Sequence, residues 1–191
     1  MKLTQHLAGY LPANLASALA SFGTVYVFTR LLGADEYGRY ALMFSAMSLI
    51  HTLTLSPGEA AAYRYTAKAR AENDLANHFA TVRALLLRSL VLAGVLTLIL
   101  TLAVSHMPRY LRIMPWVALA FPIGTLIQAT LEAHRASQEV RRYVLVYSFH
   151  LLGAFCIGAL IAWWTHIGAA APFMGLVFAG AFLCLFQGPW L

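Results

Sequence analysis

The sequence predicts an all-α polytopic membrane protein, a bundle of about six transmembrane helices. Of its 191 residues, 61% are hydrophobic and only 10% are charged, and the mean hydropathy is +0.71. A soluble domain carries about 25% charged residues, so this chain has too few charges to cover a water-facing surface. Its apolar runs are long and uniform, which favours helices over the short alternating strands of a closed barrel.

Six apolar runs are long enough to cross a bilayer. A helix rises about 1.5 Å per residue, so about 20 residues span the roughly 30 Å of hydrocarbon. The predicted spans are residues 11–31, 40–63, 84–105, 115–133, 143–164 and 169–187. Polar segments separate them, and the longest of these is residues 64–83. Because the spans and short loops occupy nearly the whole chain, we expect a single six-helix bundle over residues 1–191.

The distribution of Lys and Arg predicts the orientation. If the amino terminus lies inside, eight basic residues fall in inside segments and four in outside segments. The inside set is Lys2, Arg64, Lys68, Arg70, Arg83, Arg135, Arg141 and Arg142, and the outside set is Arg30, Arg39, Arg109 and Arg112. The positive-inside rule then predicts that both termini are cytoplasmic. The net charge of +6 mostly reflects this bias, and we expect it to attract the protein to anionic lipid heads. We expect no nucleic-acid binding.

Polar residues within three spans recur at helical spacing, so each set shares one helix face. The sets are Asn14, Ser17, Ser21 and Thr24 in the first span, Ser45, Ser48, Thr52, Ser56 and Glu59 in the second, and Thr125, Gln128 and Glu132 in the fourth. Two interpretations stay open. The stripes form interhelical hydrogen bonds and close packing, or they line a hydrophilic cavity.

Glu59 is the most informative single residue. It follows Ser56, Pro57 and Gly58 late in the second span, where Pro57 removes a backbone hydrogen bond and disfavours continued helix before it. An intramembrane carboxylate beside a broken helix is typical of transporter sites. In the alternative interpretation, Glu59 lies near the cytoplasmic end and pairs with Arg64 or Arg88.

Other residues in the spans have simpler interpretations. Arg64 and Arg88 either extend to anionic lipid heads or line a site for a phosphate-bearing ligand, since Arg matches phosphate geometry. His51 and His150 are interpreted as hydrogen-bonded packing residues. We expect Ala154 and Gly158 to form a close-packing face. The two cysteines lack metal or redox spacing and are expected to be small buried hydrophobes: Cys156 and Cys184.

The sequence carries no recognisable catalytic constellation. It contains no Gly-x-Ser-x-Gly elbow, no His-Glu-x-x-His pair and no phosphate-cradling loop before a Lys. Its seven acidic residues lie mostly in loops and form no paired cluster suited to a metal. We therefore expect no enzyme activity, no catalytic residue, no metal and no cofactor.

The segment Thr-Arg-Leu-Leu-Gly-Ala-Asp-Glu-Tyr-Gly-Arg-Tyr-Ala, residues 29–41, resembles the junction between the first two spans of polysaccharide biosynthesis proteins. These are oligosaccharide flippases of the multidrug/oligosaccharidyl-lipid/polysaccharide (MOP) exporter superfamily. The close resemblance covers about residues 12–70, and beyond residue 80 only the topology is similar. Physically, Gly33 can end the first helix in a left-handed cap, and Asp35 and Glu36 suit the start of the next. Tyr37 and Tyr40 are expected to anchor this tight outer hairpin at the membrane interface.

The resemblance implies translocation of a lipid-linked oligosaccharide across the cell inner membrane for surface polysaccharide biosynthesis. Its alternatives are a cation-coupled multidrug exporter of the same superfamily and a non-transporting fragment or assembly subunit. Family members have two pseudo-symmetric halves with the cavity between them, and this chain corresponds to one half. We therefore expect a fragment, or a half completed by a partner half or by a second copy, in contact with membrane lipids.

The resemblance also suggests roles for the polar residues in the spans. Two arginines, Arg64 and Arg88, would attract the pyrophosphate, and Glu59 would couple transport to a cation or proton. The residues that would meet sugar hydroxyls are Asn14, Ser21, Ser48 and Thr52.

Overall fold

A computed structural model of the chain describes residues 3–137 and 139–186. Seven helices occupy most of this part: α1 Leu3–Thr54, α2 Ser56–Ala71, α3 Leu75–Val104, α4 Pro108–Leu111, α5 Met114–Ala136, α6 Val140–Thr165 and α7 Ala170–Phe186. The described residues contain no strand, which confirms the all-α prediction. Lys2, and Gln187 at the end of the sixth predicted span, lie outside the described residues. The cytoplasmic orientation of the termini stays a prediction.

Four helical segments are long and apolar enough to cross a membrane. They are Gly9–Thr54, Leu75–Val104, Pro108–Arg135 and Val140–Thr165, and Ala170–Phe186 is a shorter apolar helix. Length alone undercounts the crossings, because the first segment contains the whole first predicted span and much of the second. The chain is thus a multi-pass membrane protein, as predicted.

The two parts of α1 are separated by a reversal at Gly33. The rings of Phe28 and Tyr40 lie 6.1 Å apart, whereas twelve residues of straight helix would separate them by about 18 Å. The predicted tight turn is therefore confirmed for residues 28–40, which form a short hairpin around Gly33. Gly33 has φ 80° and ψ 167°, an extended conformation at positive φ that is essentially restricted to glycine. A left-handed helical cap requires a ψ of about 47°. The ψ of Gly33 lies far from that value, so the prediction of such a cap was wrong.

Two predicted boundaries differ from the observed ones. The polar segment 64–83 was predicted to be a loop, yet α2 continues to Ala71 and α3 begins at Leu75, leaving only residues 72–74 between them. Hydropathy marks where a helix leaves the hydrocarbon, and this Ala-, Arg- and Lys-containing stretch keeps good helix propensity beyond that point. Asn73 turns the chain with φ 56°, which asparagine tolerates better than most residues.

The chain divides into two compact units. Unit 1 comprises Met1–Met43 and Arg112–Leu191, and unit 2 comprises Phe44–Leu111. The expectation of one six-helix bundle over the whole chain stays a prediction.

The core of unit 1 is built on close packing between α6 and α7. A Cβ added to Gly175 would overlap the Ala154 carbonyl oxygen and the backbone of Gly158. The predicted close-packing face of Ala154 and Gly158 is therefore confirmed, and α7 is the helix that it receives. Small residues let the backbones approach closely, which is how helices associate in lipid.

An aromatic cluster joins the α1 hairpin to this core. Phe28 and Phe173 are fully buried, and Tyr40 packs against Phe173 with ring centroids 5.3 Å apart. Phe155 of α6 meets Phe28 edge to face. Because Tyr40 is buried in this cluster, the prediction that it anchors the chain at the membrane interface was wrong. Its ring fills space between helices.

Glu36 forms a second tie between the hairpin and α7. Its Oε2 accepts a hydrogen bond of 2.9 Å from the backbone N–H of Ala169, directly before α7 begins. A carboxylate at a helix amino terminus is also favoured by the helix dipole. Gly168, at φ 75°, leaves no room for a Cβ beside this carboxylate, and Arg39 pairs with both Glu36 and Asp35. The junction motif is therefore structural.

Replacing Glu36 tests this tie. Glu36→Ala leaves the buried N–H of Ala169 without its acceptor, so we expect the free energy of unfolding to fall by about 1–3 kcal/mol. The matched control is Asp35→Ala, whose side chain is 79% exposed and whose loss should change that free energy by less than about 1 kcal/mol. Reversible unfolding in mixed micelles measures both. Equal losses in the two variants would contradict the capping role.

A pair of glycine substitutions tests the α6–α7 contact. Gly175→Ala forces backbone apart, and we expect it to lower the free energy of unfolding by about 1–3 kcal/mol. Gly124→Ala is the control, because a Cβ there has nothing within 4 Å and should be neutral or stabilise by up to about 1 kcal/mol through helix propensity. The same unfolding assay applies, and a destabilising Gly124→Ala with a neutral Gly175→Ala would refute this packing.

Candidate functional site

The seven sequence-predicted site residues are distributed over both units. Asn14 and Ser21 belong to unit 1, and the other five belong to unit 2. In unit 2, Ser48 and Thr52 lie on α1, Glu59 and Arg64 on α2, and Arg88 on α3.

The polar stripe of the first span has two kinds of member. Ser17 accepts a hydrogen bond of 3.4 Å from the Tyr147 hydroxyl of α6, so it belongs to helix packing. Asn14 and Ser21 are exposed, beside the small buried residues Ala13 and Ala20 that pack inward. Packing thus explains Ser17, while Asn14 and Ser21 remain available to a ligand or to another helix.

The polar residues of the second span lie on both sides of the junction between α1 and α2. Leu55 donates to the His51 carbonyl at 2.9 Å, and Glu59 donates to the Leu55 carbonyl at 3.0 Å, so the helical register is kept. The helix is nevertheless interrupted at Leu55, two residues before Pro57, so the break that was expected here is confirmed. Ser48 and Thr52 share one face of α1, and Glu59 of α2 comes within contact of His51 on α1 across this junction.

Glu59 pairs with a histidine and not with either of the two arginines considered from the sequence. Its Oε1 lies 3.3 Å from Nε2 of His51, and the two side chains are 12% and 30% exposed respectively. The contact is an ion pair when the imidazole is protonated and a hydrogen bond when it is neutral. An eight-residue separation is not the three- or four-residue spacing that normally signals a helical pair, so no sequence pattern indicates this contact.

Pairing of Glu59 with Arg64 or Arg88 is not observed. Within residues 3–137 and 139–186, neither arginine forms an ion pair, and both side chains are exposed. Their charges are therefore not neutralised by the described part of the chain. Arginine suits binding of phosphate oxygens because its planar guanidinium offers paired donors.

The second acid within a span, Glu132 of α5, is held in a local network. Its Oε1 accepts hydrogen bonds from Gln128 at 3.3 Å and from Arg135 at 3.1 Å. Arg135 also donates to the Tyr143 hydroxyl at 3.1 Å and lies over that ring. The shared face predicted for Gln128 and Glu132 is confirmed, and it serves to join α5 to α6.

Three further sequence-based predictions need correction. Nδ1 of His150 is buried without a hydrogen-bond partner among the described residues, so the residue packs beside Gly180 of α7 without the expected bond. Cys156 and Cys184 are free thiols and are exposed, not buried. Periodicity placed these residues on helices, but it could not say which helix faces find neighbours. No group of His, Cys, Asp or Glu in the described part of the chain could hold a metal ion.

Long apolar helices joined by short turns, with a few polar residues along their faces, define a multi-pass α-helical membrane protein. The sequence matches the family described as polysaccharide biosynthesis protein over residues 3–186. The chain therefore belongs to this family, and the membership supports a transport role related to polysaccharide at the membrane. Comparisons with curated proteins and with solved structures gave no match.

A double-mutant cycle tests the His51–Glu59 contact. With Glu59→Gln, His51→Gln and the double variant, we expect an interaction free energy of about 1 kcal/mol, the scale of polar contacts between residues in membrane helices. The control cycle combines Glu59→Gln with Arg88→Gln and should be additive within about 0.5 kcal/mol. Unfolding free energies in mixed micelles supply both cycles. Additivity for His51 together with coupling to Arg88 would support the arginine pairing instead.

Proposed function

We propose that the chain forms part of a transporter that moves a lipid-linked oligosaccharide across the cell inner membrane during surface polysaccharide biosynthesis, as flippases of the MOP superfamily do. Two findings support this proposal: the family membership, and the helices that are long and apolar enough to cross a membrane. The main structural support is the pair of exposed polar residues Ser48 and Thr52 on α1, close in sequence to the His51–Glu59 contact.

Sugars and pyrophosphate require different partners, and the chain offers both. Asn14, Ser21, Ser48 and Thr52 are exposed polar residues, and their hydroxyl and amide groups both donate and accept hydrogen bonds, as sugar hydroxyls do. The pyrophosphate would be attracted by the exposed guanidinium groups of two arginines, Arg64 and Arg88.

Glu59 and His51 would couple transport to an ion. A carboxylate and an imidazole in contact can share or release a proton, and a carboxylate can also bind a cation. Since flipping makes and breaks no covalent bond, this function needs no catalytic residue, cofactor or metal. The cavity would be completed by a second set of helices, supplied by a partner half or by a second copy of the chain.

A cation-coupled multidrug exporter is the alternative. Such a cavity needs acids that are free to meet a cationic substrate, and Glu132 is already bound by Arg135 and Gln128. Among the acids of the apolar spans in the described residues, this leaves only Glu59. Because Arg64 and Arg88 are exposed cations, the chain is better suited to an anionic substrate than to a cationic drug.

Charge reversal of the two arginines tests the proposal. In a host lacking its own copy of the gene, Arg64→Glu with Arg88→Glu should reduce surface glycan about tenfold or more, because two charge-assisted contacts are replaced by repulsion. Lipid-linked glycan should accumulate on the inner leaflet. The control, Arg70→Glu with Arg83→Glu, makes the same charge change at exposed positions outside the candidate site and should export normally.

Topology reporters and membrane fractionation establish that both double variants are inserted alike. Unchanged surface glycan from a correctly inserted Arg64/Arg88 variant would refute the pyrophosphate role. Efflux of cationic dyes by the parent protein, without any glycan phenotype, would favour the multidrug exporter. Stable insertion with neither activity would identify a non-transporting assembly subunit.

A further inference from the structure

A groove between α2 and α3 is lined by residues other than the candidate transport residues. It has a volume of about 340 Å³ and is lined entirely by residues of unit 2, between Ala61 and Leu85. This volume is at the small end of the range for small-molecule sites, which is roughly 300–1,000 Å³. The groove can therefore hold a headgroup-sized ligand.

The length of α3 places the groove at the membrane surface. Its 30 residues extend about 45 Å, which exceeds the hydrocarbon thickness by roughly 15 Å, or about ten residues. The polar residues of α3 that line the groove are Asn77, His78 and Thr81, all within its first turns. From residue 84 onward the helix is mainly apolar, so the groove crosses from the headgroup layer into the hydrocarbon.

The lining changes in polarity along the same direction. Near the connecting turn it is formed by Lys68, Glu72 and Asp74, which carry charges of both signs. Farther into the membrane it is formed by small or apolar side chains, including Val82 and Leu85. A phospholipid presents this order of groups, with a charged headgroup followed by an acyl chain.

The walls of the groove are held in place by the protein. Thr66 and His78 join α2 to α3 through a contact of 3.0 Å between Oγ1 and Nε2. Deeper in the membrane, Gly58 packs so closely that a Cβ there would lie 3.3 Å from Leu85. The groove therefore exists before a ligand binds, which reduces the ordering cost of binding.

The charged mouth can exchange its internal contacts for a ligand. Lys68 and Glu72 pair at 3.9 Å, and their side chains are 68% and 59% exposed, so this pair contributes little to stability. A headgroup could insert between them, with its phosphate on Lys68 and its ammonium on Glu72. Asp74, which accepts a hydrogen bond from Asn77 at 2.6 Å, supplies a second carboxylate.

We propose that the α2–α3 groove binds a zwitterionic phospholipid with a primary ammonium group, of the phosphatidylethanolamine type. Two carboxylates against one lysine disfavour a headgroup with net negative charge. A primary ammonium donates three hydrogen bonds to carboxylates, whereas a choline headgroup donates none. This lipid site does not depend on the proposed transport activity.

Native mass spectrometry of the intact purified protein tests the site. Phosphatidylethanolamine, phosphatidylcholine and phosphatidylglycerol with identical acyl chains are titrated separately, and the first should bind tightest. Lys68→Ala should weaken its binding about two- to fivefold, the scale of an exposed ion pair. Arg70→Ala, which removes the same charge from α2 outside the groove, should leave binding unchanged.

Two further variants separate charge recognition from shape. Glu72→Gln with Asp74→Asn should abolish the preference for phosphatidylethanolamine over phosphatidylcholine. Ala69→Leu fills the groove and should weaken binding of every lipid, whereas Ala71→Leu, an exposed change on the same helix, should not. Size-exclusion profiles and unfolding midpoints identify any variant that fails to fold, and the remaining variants then decide the question.

Several outcomes would overturn the proposal. Equal binding of the three lipids, or equal effects of Lys68→Ala and Arg70→Ala, would show that the groove recognises no headgroup. Tightest binding of phosphatidylglycerol would show that net negative charge is preferred. Saturable binding of water-soluble phosphoethanolamine, as tight as the lipid, would assign the groove to a soluble ligand.

Discussion

The reversal at Gly33 is the constraint on which the packing of unit 1 depends. Only a glycine readily adopts its combination of positive φ and extended ψ, and the turn brings Phe28 and Tyr40 together. That contact creates the surface that receives Phe173 of α7, and Glu36, three residues after the turn, binds the backbone at the start of the same helix. The residues 29–41 that resemble a family motif therefore specify packing in unit 1.

Polar groups in this protein fall into those used for assembly and those left available. Ser17, Glu132 and Arg135 are joined to other helices or to their own helix, as hydrocarbon demands of polar side chains. Asn14, Ser21, Arg64 and Arg88 are exposed instead. In a protein that offers so few charges, these exposed polar residues are the feature on which the proposed transport site rests.

The proposed lipid site and the proposed transport site use different residues and different chemistry. The candidate transport residues present hydroxyls and exposed cations, which suit sugars and pyrophosphate. The α2–α3 groove has charges of both signs at its mouth and apolar side chains farther in, which suits a bilayer phospholipid. Both use α2, which places Glu59 near His51 at one end and extends beyond the hydrocarbon to Ala71 at the other.

The sequence by itself determined that the chain is α-helical and crosses a membrane, because hydropathy and helix length are local properties summed along the chain. It also located the Gly33 hairpin, the close-packing pair Ala154 and Gly158, and the polar faces. Only the tertiary structure decided which partners these residues meet. It pairs Glu59 with His51 and caps α7 with Glu36, and both contacts join residues whose spacing carries no helical signal. It also buries Tyr40 and exposes both cysteines, which depends on which helix faces find neighbours. The structure also shows that α2 and α3 extend beyond the apolar spans, because backbone hydrogen bonding does not stop where the apolar residues end.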